Sequence, residues 1–252
     1  MRPNTLTFPP DPAYGEGQCR RIIRIDVAKE VVMAHLSDNF HEMRCLVHHD
    51  GKVVVAIEGI PIRLPTTACP GAIHVLQELV GMPLTASGKD FYGDGRARRH
   101  CTHLFDLAVL AIRHAAGEVG TTCFDAVVPD ETDDPVVLSI TRNGLPVHRW
   151  KVRGSTILDP AHLAGHTLER GFAAWAVQTF ADDELEAATI LARTWLIAIG
   201  RRFLIDEAAG QRITQNTEMV GRCYAYQSEH ANTARFVAGQ LRDPETLATT
   251  VD

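Results

Sequence analysis

The chain has 252 residues, of which 45% are hydrophobic, 22% charged and 6% aromatic. These proportions are typical of a globular protein, and they exclude a disordered, collagen-like or small disulfide-stapled chain. The formal net charge is −6 and the longest basic run is short. Because nucleic-acid binders concentrate Lys and Arg on one face, nucleic acid is not expected as a partner.

The segments that would indicate export or membrane insertion are not recognisable in the sequence. Residues 1–15 lack the apolar core of a secretory signal. The most apolar stretch, 185–205, carries four charged side chains that a membrane span would not tolerate. The six cysteines are scattered without a Cys-x-x-Cys pair. We therefore expect a cytoplasmic protein with free thiols and no membrane partner.

The first half of the chain predicts an arm, four strands and two helices. Residues 1–17, rich in Pro, Asp and Gly, predict an extended arm. Asp50-Gly51 lies between two apolar runs and predicts a hairpin turn. Apolar residues at helical spacing predict a helix over 71–80 and another over about 101–116, with 85–99 as a loop. The strands are predicted at 20–27, 30–36, 42–49 and 52–57.

The second half predicts further strands and then helices. Asn143-Gly144 predicts a hairpin with a type I′ turn, and Asp159-Pro160 predicts the start of a helical part. This order favours an α+β fold, in which helices cover one face of an antiparallel sheet of N-terminal strands, with a second β-hairpin and a helical C-terminal part. We expect one domain over 18–252, with a core at about 30–117, strands over 121–154 and the helical part over 159–245. Its elements are predicted at 123–128, 136–142, 145–153, 171–180, 182–208 and 230–241.

The histidines near residue 100 are the strongest candidates for chemistry. The chain has no phosphate-binding loop, dinucleotide fingerprint, nucleophile elbow or zinc-protease motif, so any reaction would depend on dispersed acid–base groups. The run from Arg98 to His103 lies where a loop meets a helix. We expect His103 to act as a base, oriented by Asp106 one turn further on, with His100 contacting substrate. The alternative is a helix cap with a buried cysteine and partly exposed histidines.

Other polar residues fall at places where they would reach the same site. His41 precedes a strand, Arg63 ends another, and Cys69 lies just before a helix. We expect His41 to be catalytic, Arg63 and Tyr226 to stabilise an oxyanion, and Cys69, Tyr92 and Tyr224 to contact substrate. For most of these residues a structural role remains open: a solvated loop histidine, a surface arginine, a buried cysteine and tyrosines that pack in the core.

Nearly the whole chain, from about residue 22 to 242, resembles the bacterial domain-of-unknown-function family numbered 2889. The resemblance depends on a strand-borne Asp-Gly hairpin and on four motifs: Arg63-Leu-Pro-Thr-Thr-Ala-Cys69-Pro-Gly-Ala, Leu76-Gln-Glu-Leu-Val-Gly81, His100-Cys101-Thr102-His103-Leu104 and Met219-Val-Gly-Arg-Cys-Tyr-Ala-Tyr226. The family name implies no activity. Its members are common in bacteria that have gene clusters for aromatic and acyl-CoA catabolism, which implies a small-molecule substrate.

Residues 32–116 are also similar to U-type iron–sulfur scaffold proteins. This resemblance implies four ligands, His41, Cys69, His100 and Cys101, for zinc or an iron–sulfur cluster. The chain departs from the scaffold pattern because His41 stands where the scaffold has cysteine. In addition, the loop over 90–99 lacks the apolar chaperone-docking segment of such scaffolds. The second half of the chain has no counterpart in that family.

Three functions follow from these observations. The first is a cofactor-independent acid–base enzyme for a small aromatic, lignin- or phenol-derived catabolic substrate, in one version a deformylating carbon–carbon lyase. The second is a metal- or cluster-binding accessory protein that uses the His/Cys set. The third is a binding protein without catalysis. A homodimer through the helical C-terminal half is left open.

Overall fold

The computed structural model describes residues 8–242 and shows the predicted α+β fold class. Within those residues there are eight strands, all antiparallel to their neighbours, and six α-helices. The strands are β1 Gln18–Val27, β2 Val31–Asp38, β3 Glu42–His49, β4 Val54–Arg63, β5 Gly120–Pro129, β6 Val136–Arg142, β7 Leu145–Arg153 and β8 Thr156–Asp159. The helices are α1 Gly88–Tyr92, α2 Arg96–Arg99, α3 Thr102–His114, α4 Phe172–Thr179, α5 Asp182–Ala198 and α6 Ser228–Ala231.

The chain packs as two compact units, and each is built from separate stretches of sequence. The first unit comprises Phe8, Arg24–Thr121 and Ile205–Arg242, and the second comprises Pro9–Ile23 and Thr122–Leu204. These bounds do not follow the predicted subdivision at 117, 121 and 159. The parts of the predicted arm and helical region that fall at 1–7 and 243–245 lie outside the described residues.

In the first unit the strand order is β4-β3-β2-β1, and β1 contributes Arg24–Val27. Asp50-Gly51 forms the turn between β3 and β4, and Gly51 has the positive φ of 86° that the motif predicts. One face of β2 and β3 is buried throughout, and the opposed pair Leu36 and Met43 lies on it. The apolar face of α3 packs on this pair of strands. This packing places the first turn of α3 beside the β2–β3 end of the sheet.

In the second unit the strand order is β1-β5-β6-β7-β8, and β1 contributes Gln18–Ile23. The turn between β6 and β7 has positive φ at both Asn143 and Gly144, 51° and 78°, as the type I′ prediction requires. Trp150 is 1% exposed and lies against Phe172 and Phe180, which hold α4 over the strands.

Several helix predictions are wrong in extent or type. The helix expected over 71–80 is a 3₁₀ helix, Cys69–Leu79, and the loop expected over 85–99 contains α1 and α2. The long helix expected over 182–208 ends as an α-helix at Ala198 and continues in short 3₁₀ turns. The helix expected over 230–241 is reduced to α6, because the backbone beyond it pairs with two other segments. No helix within residues 8–242 is long and apolar enough to cross a membrane.

Candidate functional site

The tight turn between β2 and β3 holds His41 in one orientation. One carboxylate oxygen of Asp38, Oδ1, accepts the backbone N–H groups of Phe40 and His41, each at 2.8 Å, as Asp does in Asx turns. The same oxygen lies 3.1 Å from Nδ1 of His41, and Asp38 is fully buried. An ionised carboxylate only accepts, so Nδ1 must carry the hydrogen of this bond. The lone pair of the neutral His41 ring is therefore on Nε2.

The second histidine of the site comes from the first turn of α3. His103 stacks on His41 with ring centroids 4.1 Å apart and an angle of 30° between the planes. His41 is 7% exposed, whereas His103 is half-buried. The structure thus brings together the two histidines that the sequence marks as candidate catalytic residues. His103 also marks the side of the pair that is open to solvent.

Arg63 also holds the His41 turn in place. Its Nη1 donates to the carbonyl oxygens of Asn39, at 3.0 Å, and Gln240, and its Nη2 donates to those of Asp38 and His41, the latter at 3.0 Å. Burial lowers the pKa of Arg63, although the carboxylate of Asp38 partly offsets the effect. All four terminal N–H bonds of the guanidinium are engaged with backbone. Arg63 is therefore a positioning residue, in contrast to the oxyanion-stabilising role expected from the sequence.

Asp106 and Tyr92 meet on the exposed side of α3. The phenol of Tyr92 donates to Oδ1 of Asp106 at 2.9 Å. The orientation of His103 by Asp106 stays a prediction, and the carboxylate that orients His41 is Asp38. Sequence reasoning missed Asp38. Its position three residues before His41, in Asp-Asn-Phe-His at a strand end, is the signal that could have found it.

His100 precedes α3 and is fully buried. Neither ring nitrogen has a hydrogen-bond partner in residues 8–242, although Nε2 lies 3.5 Å from Oε2 of Glu78. Burial lowers the pKa of His100, and the neighbouring carboxylate of Glu78 offsets only part of that effect. The ring packs on Phe105, with centroids 4.6 Å apart. This burial disfavours the substrate contact expected for His100.

Cysteines and tyrosines from distant segments gather near the start of α3. The backbone N–H of Tyr224 donates to the carbonyl oxygen of His100 at 2.9 Å, and Sγ of Cys69 lies 3.0 Å from the hydroxyl of Thr66. Burial raises the pKa of Cys69 to about 11 and that of Cys101 further, with a smaller contribution from Cys69 itself. These thiols are therefore protonated at neutral pH, and a thiol is a weaker ligand or nucleophile than a thiolate.

The two tyrosines of this group have different surroundings. Tyr226 is 6% exposed, and burial raises its pKa above the usual value for a phenol. The ring of Tyr224 stacks on His230 with centroids 4.0 Å apart, and its hydroxyl lies close over Gly71, where a Cβ would come within 2.6 Å. Tyr226 remains a protonated donor across the neutral range, as an oxyanion stabiliser would need to be.

The zinc or iron–sulfur centre implied by the scaffold resemblance stays a prediction. Within residues 8–242 no group of three or more His, Cys, Asp or Glu side chains is arranged so that it could hold a metal ion. The four residues implied by the scaffold resemblance, His41, Cys69, His100 and Cys101, therefore do not form a preassembled ligand set here. His41 instead uses Nδ1 for Asp38 and its ring face for His103.

No protein-family model matches the chain, and no curated protein matches it. The two resemblances based on motifs consequently stay predictions.

Proposed function

We propose that this protein is an acid–base enzyme for a small organic molecule, with His41 and His103 as its proton-transferring groups. One observation carries the proposal: a fully buried carboxylate, Asp38, is bonded to Nδ1 of a histidine whose ring stacks on a second, half-exposed histidine. A carboxylate that sets the tautomer of an imidazole is the arrangement that hydrolases use to prepare a general base. General acid–base help of this kind contributes about 10²–10⁴-fold to rate.

Each residue has a separate role in this proposal. Asp38 keeps the hydrogen of His41 on Nδ1, so that Nε2 is the basic atom. His103, at the more exposed position, exchanges protons with substrate or solvent. Arg63 keeps the turn in place through four carbonyl oxygens. The two rings are close enough that the transfer of a proton to one changes the electrostatic field at the other.

We further propose that the substrate is a phenol-derived compound with a hydroxymethyl group and that the reaction is a deformylating cleavage. The base removes the hydroxyl proton, the C–C bond breaks, and formaldehyde leaves with its new C=O bond. The electron pair of the broken bond remains on the substrate carbon, which takes up a proton from the imidazolium. The half-exposed ring of His103 supports an aromatic substrate because flat rings stack well on one another. A cytoplasmic location belongs to the same proposal.

The experiment measures formaldehyde release from a panel of phenolic compounds that carry a hydroxymethyl group. We expect His41→Ala and His103→Ala to lower kcat by at least about 10². The melting temperature of His103→Ala should stay within a few degrees of the parent. His48→Ala is the matched control, because His48 is half-exposed on β3, where its Nε2 lies 3.5 Å from Oε1 of Glu58. If both alanine variants retain the full rate, or no compound of the panel is turned over, the proposal is wrong.

The metal- or cluster-binding function and the non-catalytic binding function stay predictions without an observation in their favour. Metal analysis and an absorption spectrum of anaerobically purified protein test the first of them. About one bound metal or a cluster per chain would favour it over the acid–base enzyme.

A further inference from the structure

Three polar residues form a row across the sheet next to the His41 turn. Ser37 of β2 lies opposite Glu42 of β3, and Glu42 lies opposite Arg63 of β4. Directly opposite residues of antiparallel strands project to the same face, with Cβ atoms about 5 Å apart. Ser37 is 2% exposed, and Glu42 and Arg63 are each 6% exposed. The sheet therefore buries a hydroxyl, a carboxylate and a guanidinium side by side.

Each residue of this row has a buried polar atom without a hydrogen-bond partner in residues 8–242. These atoms are Oγ of Ser37, Oε2 of Glu42 and Nε of Arg63. Nε2 of His35, two residues before Ser37 and thus on the same face of β2, also has no aligned hydrogen bond, although it lies 3.4 Å from Oε1 of Glu42. Buried polar groups are almost always hydrogen-bonded in folded proteins, to protein or to a bound molecule. Four such atoms at one end of a sheet indicate a shared partner.

The charges around the row balance. Nη1 of Arg242 lies 3.1 Å from Oε2 of Glu42, although the two are not aligned as a hydrogen bond. Asp38 and Glu42 provide the negative charge that faces the guanidinium of Arg63. Since each ionised group already has a counter-charge, the missing partner needs no charge of its own. It must donate to a carboxylate oxygen and accept from a guanidinium N–H, and a hydroxyl group does both.

The C-terminal segment of the described chain closes this end of the sheet. Asn39 and Arg242 exchange two hydrogen bonds of 3.0 Å, from Nδ2 of Asn39 to the carbonyl oxygen of Arg242 and from the N–H of Arg242 to the carbonyl oxygen of Asn39. The carbonyl oxygen of Gln240 accepts from Arg63. This segment therefore contacts the row directly at Arg63.

We propose that Ser37, Glu42 and Arg63 form a binding site for the hydroxyl groups of a small uncharged molecule. One hydroxyl bridges Oγ of Ser37 and Oε2 of Glu42, and a second accepts from Nε of Arg63 and donates to Glu42. Buried water and a small polyhydroxy compound share this chemistry. The terminal nitrogens of Arg63 hold the His41 turn. A hydroxyl group that accepts from Nε therefore also fixes the plane of the guanidinium, which positions His41. The site does not depend on the proposed catalysis.

A crystal structure of the full chain, at a resolution that shows ordered water, tests the site directly. We expect density within hydrogen-bond distance of at least two of the three unpartnered atoms. Separate peaks identify water, and continuous density, with the same compound recovered by mass spectrometry after denaturation, identifies a small molecule. The proposal is overturned if the side chains of the row instead bond to one another and no density lies between them.

A variant that keeps the fold gives an independent readout. If Oγ of Ser37 is hydrogen-bonded to the bound hydroxyl, Ser37→Ala lowers the melting temperature by about 2–4 °C. If that oxygen has no partner, its removal relieves a buried unsatisfied group. The melting temperature then stays the same or rises, and the site is refuted. Ser139→Ala, at a half-buried strand position of the second unit, is the matched control and should change little.

Discussion

Arg63→Lys keeps the positive charge and removes the fork of the guanidinium. Arg63 donates to four carbonyl oxygens, those of Asp38, Asn39, His41 and Gln240. An ammonium has three hydrogens on one atom, so at least one carbonyl oxygen loses its donor and the others lose their alignment. Each buried polar group left unsatisfied costs about 1–3 kcal/mol. With one to two such groups, we expect the free energy of unfolding of the first unit to fall by about 1–6 kcal/mol.

Urea unfolding, followed by fluorescence and circular dichroism, measures this loss. Arg44→Lys is the control, because Arg44 lies on the neighbouring strand β3 and is exposed, so its substitution should stay within about 0.5 kcal/mol of the parent. NMR signals of the His41 ring should shift in Arg63→Lys and not in the control, since the turn carbonyl oxygens move. A stability of Arg63→Lys equal to that of Arg44→Lys, with unchanged His41 signals, would refute the positioning role.

Three further predictions follow from buried ionisable groups. Burial lowers the pKa of His35 and His100 below the usual 6.5, so the unfolded chain binds more protons than the folded one. The urea midpoint should therefore decrease as the pH is lowered from 7 to 5, and a midpoint that does not change with pH would contradict this. Burial alone would raise the pKa of Asp130, but hydrogen bonds from Arg201 and two backbone N–H groups lower it. Asp130→Asn should therefore lower the free energy of unfolding by about 1–3 kcal/mol at pH 7. This loss should become smaller as the pH falls below about 4, because the carboxylate of the parent protein is then progressively protonated. Iodoacetamide at pH 7 should label the half-buried Cys123 well before Cys101, whose pKa burial raises, and peptide mass spectrometry that finds equal labelling would contradict this.

Local sequence signals predicted the elements with good accuracy where the determining contacts are also local. Asp50-Gly51 and Asn143-Gly144 form the turns expected of them, because positive φ is a property of the residues themselves. Strand alternation predicted β2 and β3 and the buried face that α3 covers. The helix predicted over 230–241 failed because the backbone of residues 234–237 bonds to residues 65–67 and 211–213, contacts that helical propensity does not describe.

The candidate site was predictable in part. His41 and His103 were singled out as residue types at strand and helix ends, and the structure stacks them. Asp38 and the true partners of Arg63 were not found, because their importance arises from burial and from carbonyl oxygens that carry no side-chain signature. For the same reason, the sequence does not identify Ser37 and Glu42 as candidate site residues. A polar residue in a strand is common in protein sequences, and it becomes informative only when tertiary packing excludes solvent from it.

The order of strands and helices, their turns and their apolar faces came from the chain's own local chemistry, which is why the fold class could be stated in advance. The tertiary structure alone decided that Asp38 orients a histidine and that all terminal N–H groups of Arg63 are bonded. It also decided which polar atoms lose their water. These properties arise from contacts among residues 38–42, 63, 103 and 240–242. Hydrogen bonding and desolvation depend on neighbours that are distant in sequence, and those neighbours exist only in the folded protein.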